Sequence, residues 1–471
     1  MVLTTNASGA ARATIRSMKL HSLVALTMLL AAVVPRHAAG QRAESAPSLR
    51  AGAARVDVTP AQGELPKNSR GVLDRLYARA IVLESGASTA ALITVDAGAV
   101  PGVLWEAVTG QIERELQIPR TSVLLTATHT HSAGGQRGPD YAQKIVESVR
   151  LAQQRLTPAR MGYGTGVSYI NVNRQIVDPK TNRWWEGPNR EGPSDKTVAV
   201  LEFESQRGEP IAVYYNYAVH AVIAGQLDQV SGDIPGAASR YIEGSFDDNV
   251  IALWSSGAAG DQNPIYFQQT YDLRDVRTKD YATRGIDISN AMPPGGEGLD
   301  RNSPTVARLM NQQRQMVLSM GQFLGEEVLH VMRGIERLDT AVPLAGRFST
   351  ISCPGRERTN QGRAGFEGTY KDGSPVDIRL GLLRIGDVMI GAVNAEVFNP
   401  IAQRLKRESP YKATMMATLT NGAARSGYIP DEASFGKQTF EVLSSRLQPG
   451  CAESAIVNGL LSLIDSTRGL R

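Results

Sequence analysis

Cysteine is almost missing from this chain: Cys353 and Cys451 are the only two in 471 residues. Two thiols can form one disulfide at most, and spacing alone leaves the paired and free states both open. An excess of charge is missing as well. The formal charge of +4 arises in the first forty residues, which hold Arg12, Arg16, Lys19 and Arg36 and no acid. The remainder is neutral and carries no nucleic-acid signature. Long apolar runs are scarce. "LVALTMLLAAVV" is too short for a relaxed transmembrane span, and no later stretch is long and apolar enough to span a bilayer. Local catalytic signatures are absent too: there is no G-x-S-x-G elbow, H-E-x-x-H, P-loop or Rossmann glycine fingerprint. Whatever chemistry the chain performs must be assembled from distant segments.

What is present begins with an export signal. A positive stretch, the apolar run and the small-residue zone "RHAAG" follow one another, the order of a cleavable leader. Residues 1–40 are therefore expected to be removed near Gln41, leaving 41–471 as one secreted or periplasmic domain.

Hydrophobic content of 42% fits an ordinary globular body. "RVDVTP", "RLYARAIVLES", "TAALITVDAG" and "TSVLLTATHTHS" read as strands, and residues 104–117 show helical apolar spacing. This alternation predicts an α/β fold, a mixed β-sheet core flanked by helices. Residues 266–303 are polar and bear Gly and Pro, so they read as a surface excursion. A long amphipathic helix follows, with Ser303 as N-cap and Pro304 at its first position. Further helices are expected near 398–408 and from about 452.

Histidine is sparse, with His129, His131, His220 and His330 the only ones beyond the leader. The first three sit where strands run into Gly- or Ala-rich loops, whereas His330 reads as a packed or half-exposed helix residue. If "LLTATHTHSAGG" stays extended, His129 and His131 share one face. Imidazole suits zinc, and a catalytic zinc needs three protein ligands and an open position. His129 and His220 supply two; the residues alone do not select the third, and satisfied structural histidines are the alternative.

"ATHTHSAGG" resembles the histidine motif of the neutral, non-lysosomal ceramidase family. "RVDVTP", "ITVDAG", "SYINVNR", "SDKTVAVLEF", "AVHAVIAGQLDQVSGDIPGAASRYIE", "GAAGDQNP", "NAEVFNPIAQRLK" and "GYIPDEASFGKQTFE" are similar to its other blocks in the same order. The resemblance runs from about 51 to 445, with no room for the family's C-terminal immunoglobulin-like domain. It implies that His129, His220, Glu396 and Tyr428 hold Zn2+. It further implies that His131 handles protons and that Arg174 stabilises an oxyanion. Taken singly, Glu396 could be a solvated acid at a helix start, Tyr428 a loop aromatic and Arg174 a surface ion pair. Asp96 and Asp233 are candidates either to orient a ligand histidine or to cap a loop.

Two positions depart from the pattern. Asn263 stands where the family carries a catalytic serine, and Phe440 replaces a tyrosine at the oxyanion. Asparagine cannot form an acyl intermediate, but a zinc-activated water remains able to attack directly. The resemblance thus implies a secreted zinc amidohydrolase cleaving the N-acyl bond of ceramide or a related lipid amide. Hydrolysis of another ester, lactone or amide, or a silent metal-binding protein, are the alternatives. A peripheral membrane contact and the oligomeric state are left open.

Overall fold

The computed structural model describes residues 48–134, 138–288 and 295–469; the expected leader lies outside them. Strands such as Tyr77–Ser85 and Ser88–Val95 are buried on both faces, so each needs cover on two sides. Alternation decides what covers which face. Ala78, Ala80, Val82, Ala91 and Ile93 pack on helices Gly102–Leu116 and Tyr141–Gln154. Their neighbours Ile81, Leu83 and Leu92 point the other way, onto Leu383, Ile385, Ile390 and Met415 of a second sheet.

The larger sheet runs, edge to edge, Ile251–Ser256, Pro210–Tyr217, Thr197–Ser205, Thr157–Val167, Leu49–Asp57, Tyr77–Ser85, Ser88–Val95 and Val123–Ala127. Its two outermost pairs are parallel and the pairs between are antiparallel. Near one end, Val200, Val213, Tyr215 and Trp254 are covered by helices Asp233–Gly244 and Pro304–Arg333 through Ala238, Met320 and Leu324. The second sheet orders Leu344–Arg358, Tyr370–Ile385, Val388–Val393 and Thr414–Thr418, the last pair parallel. Ile378, Leu380 and Met389 on its outer face meet Ile401, Leu405, Ile456 and Leu460 of helices Asn399–Glu408 and Ala452–Asp465. The layers are helix, sheet, sheet, helix, in accord with the mixed α/β expectation.

Cys353 and Cys451 are joined in a disulfide that ties the second sheet to the start of the helix Ala452–Asp465. Residues 266–303 correct the sequence reading, because Gln268–Thr283 is a helix. Its buried positions are Thr270, Leu273, Arg277 and Tyr281. They keep helical spacing but only two of the four, Leu273 and Tyr281, are hydrophobic, so no apolar period betrays them. The helix Pro304–Arg333 starts as expected after Ser303, although the serine side chain makes no capping bond. His330 is exposed in its last turn.

Candidate metal centre

Parallel strand pairs end on the same side, so the loops that follow them gather there. His129 and His131 follow Val123–Ala127, His220 follows Pro210–Tyr217, Glu396 follows Val388–Val393 and Tyr428 follows Thr414–Thr418. Glu396 and Tyr428 are direct partners in a two-residue parallel bridge, which ties the acid to the phenol through the backbone. The extended-strand argument for the histidine pair is corrected here. The strand stops at Ala127, and His129 adopts φ 64°, a strained region for a non-glycine residue. The two rings nevertheless approach edge to face, with Nε2 atoms 3.4 Å apart.

His129 Nδ1 lies 2.7 Å from the Gly98 carbonyl and His220 Nδ1 lies 3.0 Å from the Gln262 carbonyl. A carbonyl only accepts, so both Nδ1 atoms are assigned the proton and both Nε2 lone pairs are bare. Those lone pairs converge on one oxygen: Glu396 Oε2 is 3.2 Å from His129 Nε2 and 3.3 Å from His220 Nε2. His220 Nε2 and Glu396 Oε2 are buried and make no hydrogen bond. Two facing acceptors, His220 Nε2 and Glu396 Oε2, left without a donor are costly, and a cation among the three converging atoms would satisfy both. A void of about 10 Å³ touches His129, His220 and Glu396, room for a single small ion and no substrate. A cavity of about 830 Å³ is lined in part by His131.

Two donor sets overlap here. The nitrogens of His129, His131 and His220 lie within 4.8 Å of one another, close enough to hold a cation among the described residues. Glu396 completes the alternative set. It is the better third donor, because its oxygen is buried and unsatisfied while His131 is exposed. Electrostatics agree with a charge-pairing centre. Burial opposes a charge on His129, but the facing Glu396 carboxylate outweighs it and raises the imidazole pKa. Burial likewise acts to raise Glu396, and His129 and His220 override it, holding the acid well below its ordinary range. His220 is pushed down to about 4 by burial and by Arg174.

Arg174 sits fully buried beside this centre. Its Nη1 donates to Asn263 Oδ1 at 3.1 Å, its Nη2 to the Gly260 carbonyl at 2.6 Å, and its Nε pairs with Glu441 at 2.6 Å. The guanidinium Cζ also lies 5.5 Å from the centroid of the Tyr428 ring. Burial and then Glu396 raise the phenol pKa, and Arg174 works against that rise. Asn263 is committed as well: its amide nitrogen donates to Glu186 Oε1 at 2.8 Å. Phe440 stands edge-on to Tyr428, centroids 5.8 Å apart.

Among the described residues no hydrogen bond or ion pair joins Asp96 or Asp233 to a histidine. Asp96 accepts from the Tyr77 N–H and pairs with Arg79 at 3.2 Å, and Asp233 accepts from the N–H groups of Ala224 and Ile234. Backbone carbonyls have taken the orienting role. Sequence reasoning also missed Glu186 and Glu441, the buried acids that hold Asn263 and Arg174; "KQTFE" does place Glu441 next to a flagged position.

Comparison with known proteins follows the same outline. The family profile described as neutral/alkaline non-lysosomal ceramidase, N-terminal, matches residues 60–272, a span holding His129, His131, Arg174, His220 and Asn263. The neutral ceramidase of Pseudomonas aeruginosa is 27% identical over 272 residues, 50% of this chain and 40% of that protein. Over residues 60–272 the chain is similar to the neutral/alkaline non-lysosomal ceramidase family. The neutral ceramidase of Drosophila melanogaster is 25% identical over 224 residues, 41% of this chain and 32% of its own length. The alignments thus span less than half the length of these curated relatives. A solved ceramidase complexed with C2 superposes with a TM-score of 0.65 at 16% identity, covering 89% of this chain and 76% of its own. The crystal structure of the neutral ceramidase from Pseudomonas aeruginosa gives 0.63, covering 89% and 75%. The ceramidase-like fold therefore extends past the profile match to the region of Glu396 and Tyr428.

Proposed function

We propose that this chain is an exported zinc-dependent amidohydrolase that cleaves an N-acyl amide of the ceramide type, an acyl group carried on the nitrogen of an amino alcohol. The observation that carries the reading is the convergence of the bare His129 and His220 Nε2 atoms on the unsatisfied Glu396 oxygen. His129, His220, Glu396 and Tyr428 would hold the ion, a nitrogen and oxygen donor set that suits zinc. Zinc bound there supplies Lewis acidity and brings the pKa of a water toward neutrality.

The protein's own groups do the rest. Gly98 and Gln262 fix both ligand imidazoles by their Nδ1 protons, which keeps Nε2 available and aimed. Arg174 lies over the Tyr428 ring and opposes the rise of the phenol pKa. His131 stands between the donor cluster and the large cavity, where it can take a proton from water and return it to the leaving nitrogen. Asn263 carries no nucleophile, so the reading requires direct attack by water with no acyl-enzyme. The disulfide supports export, since such bonds persist in oxidising compartments.

The test is His131→Ala, assayed for bound metal and for release of free acid from an N-acyl amino alcohol. Full metal with turnover lower by about 10²–10⁴-fold supports the assignment. Unchanged turnover removes His131 from the chemistry, and lost metal makes it a ligand instead.

A further inference from the structure

A second cavity, of about 340 Å³, has Ile176, Trp185, Pro188, Tyr271, Ala364 and Phe440 in its wall, an apolar and largely aromatic lining. Phe440 ties it to the centre described above. Its ring lies 5.8 Å from that of Tyr428 and 5.0 Å from Arg174 Cζ. Asn263 is a neighbour as well, donating to the lining residue Glu186 at 2.8 Å. The charged groups of the wall are engaged with one another: Glu186 pairs with Arg274 at 2.7 Å and lies 3.9 Å from Arg363. A charged ligand would have to break into those pairs, whereas hydrocarbon has only to displace water from the rings. Trp185 keeps 42% of its surface exposed, so its indole has area left to cover a ligand.

Which part of a substrate enters follows from the proton transfer. Under the hydrolase reading above, on which this step rests, His131 protonates the leaving nitrogen, and His131 lines the larger cavity. The amine therefore lies on that side, and the acyl chain leaves the carbonyl in another direction. The cavity beside Phe440 is lined without His131 and adjoins Arg174 and Tyr428. We infer that it receives the first part of the acyl chain, with Trp185 and Phe440 setting how much chain length contributes. With the roughly 30 Å³ share of a water taken as the measure of one methylene, the space holds about ten carbons. Up to that length each added carbon gains at most about fourfold; beyond it the chain runs into solvent and gains nothing more.

The experiment compares the whole metal-loaded protein with Trp185→Ala and with Thr278→Trp, the latter adding a ring to the wall from the helix Gln268–Thr283. The kcat/KM is measured for N-acylethanolamines from acetyl to tetradecanoyl and for N-acetyl alkylamines from ethyl to octyl. In the unsubstituted protein the acyl series should climb and level off near ten carbons, about the capacity of the cavity. Trp185→Ala should cost the decanoyl compound about tenfold through lost apolar cover. Thr278→Trp should make the series level off several carbons earlier. Acetyl turnover should stay within about threefold in both variants, because a two-carbon acyl group barely enters the cavity. The amine series should ignore both substitutions. An acyl series that is flat, that rises unbroken to tetradecanoyl or that ignores both substitutions overturns the inference, as does an amine series that responds to either. Absence of turnover from every compound strikes the hydrolase reading instead, and calorimetric Kd for the same amides on the same proteins then decides by the same pattern whether the cavity holds the chain.

Discussion

Asn263 is where this chain departs most clearly from the family's pattern, and its surroundings say what its loss would do. Asn263→Ala deletes an acceptor for Arg174 Nη1 at 3.1 Å and a donor to Glu186 Oε1 at 2.8 Å, both inside the protein. Glu186 keeps Arg274 at 2.7 Å, and Arg174 keeps Gly260 and Glu441, so neither charge is stranded. Removing one partner from a buried hydrogen bond to a charged group costs about 1.5–3 kcal/mol, so the pair together should cost about 3–6 kcal/mol. For a domain of this length unfolding entropy makes each kcal/mol worth about 1 °C, giving a fall in Tm of about 3–6 °C by calorimetry at neutral pH. Acidity should shrink the difference. Burial favours neutral Glu186, but Arg274, Arg174 and the Asn263 bond overcome it and hold the acid down to about 2. A carboxylate with a depressed folded pKa stabilises above its unfolded value of 4.5, and that contribution fades as pH falls toward 2. Wild type and variant should therefore converge between those values. Metal content should not change. A variant that melts like the wild type and binds metal, yet has lost turnover, would refute a positioning role and make Asn263 a group that touches the substrate.

Gly260→Ala tests the link between segments: a Cβ there would lie 2.9 Å from the Val397 carbonyl and 2.9 Å from Phe398, pushing on the strand that carries Glu396. Metal affinity, measured by chelator competition, should fall about 10–100-fold, as when the supports of metal ligands are altered, with no donor atom removed. The Cys353→Ala, Cys451→Ala double variant opens a closure of 98 residues, which chain-entropy arithmetic puts at about 3–5 kcal/mol; the melting point should drop by about 3–5 °C with zinc stoichiometry intact. Tyr428→Phe should weaken metal binding less than loss of either histidine, because a neutral phenol is the weakest donor of the set, and the same competition assay ranks them.

The histidines of this centre could be read from residue types, because scarce histidines before glycine-rich loops are a local and legible feature, whereas Glu396 and Tyr428 were reached only through the family resemblance. The mixed sheet and most helices were legible for the same reason, since apolar period survives in runs such as Tyr77–Ser85. Other features left no such trace. The carbonyls of Gly98 and Gln262 orient the ligand rings, and a backbone acceptor has no residue signature. The neighbouring of Glu396 and Tyr428 depends on a two-residue bridge, too short to show any alternation. The φ of His129 broke the strand argument while preserving its outcome, since the rings meet through a turn. The helix Gln268–Thr283 was hidden because tertiary polar contacts, such as Arg277 with Gln226 and the Glu297 carbonyl, hold it in place of an apolar stripe.

The most direct measurement is elemental metal analysis of the folded protein, purified without chelator, alongside His129→Ala, His220→Ala and Glu396→Gln. The account predicts one zinc per wild-type chain, and substoichiometric, chelator-labile metal in each variant while circular dichroism stays native. A folded wild-type chain that takes up no divalent metal, or one whose metal is indifferent to all three substitutions, would contradict it.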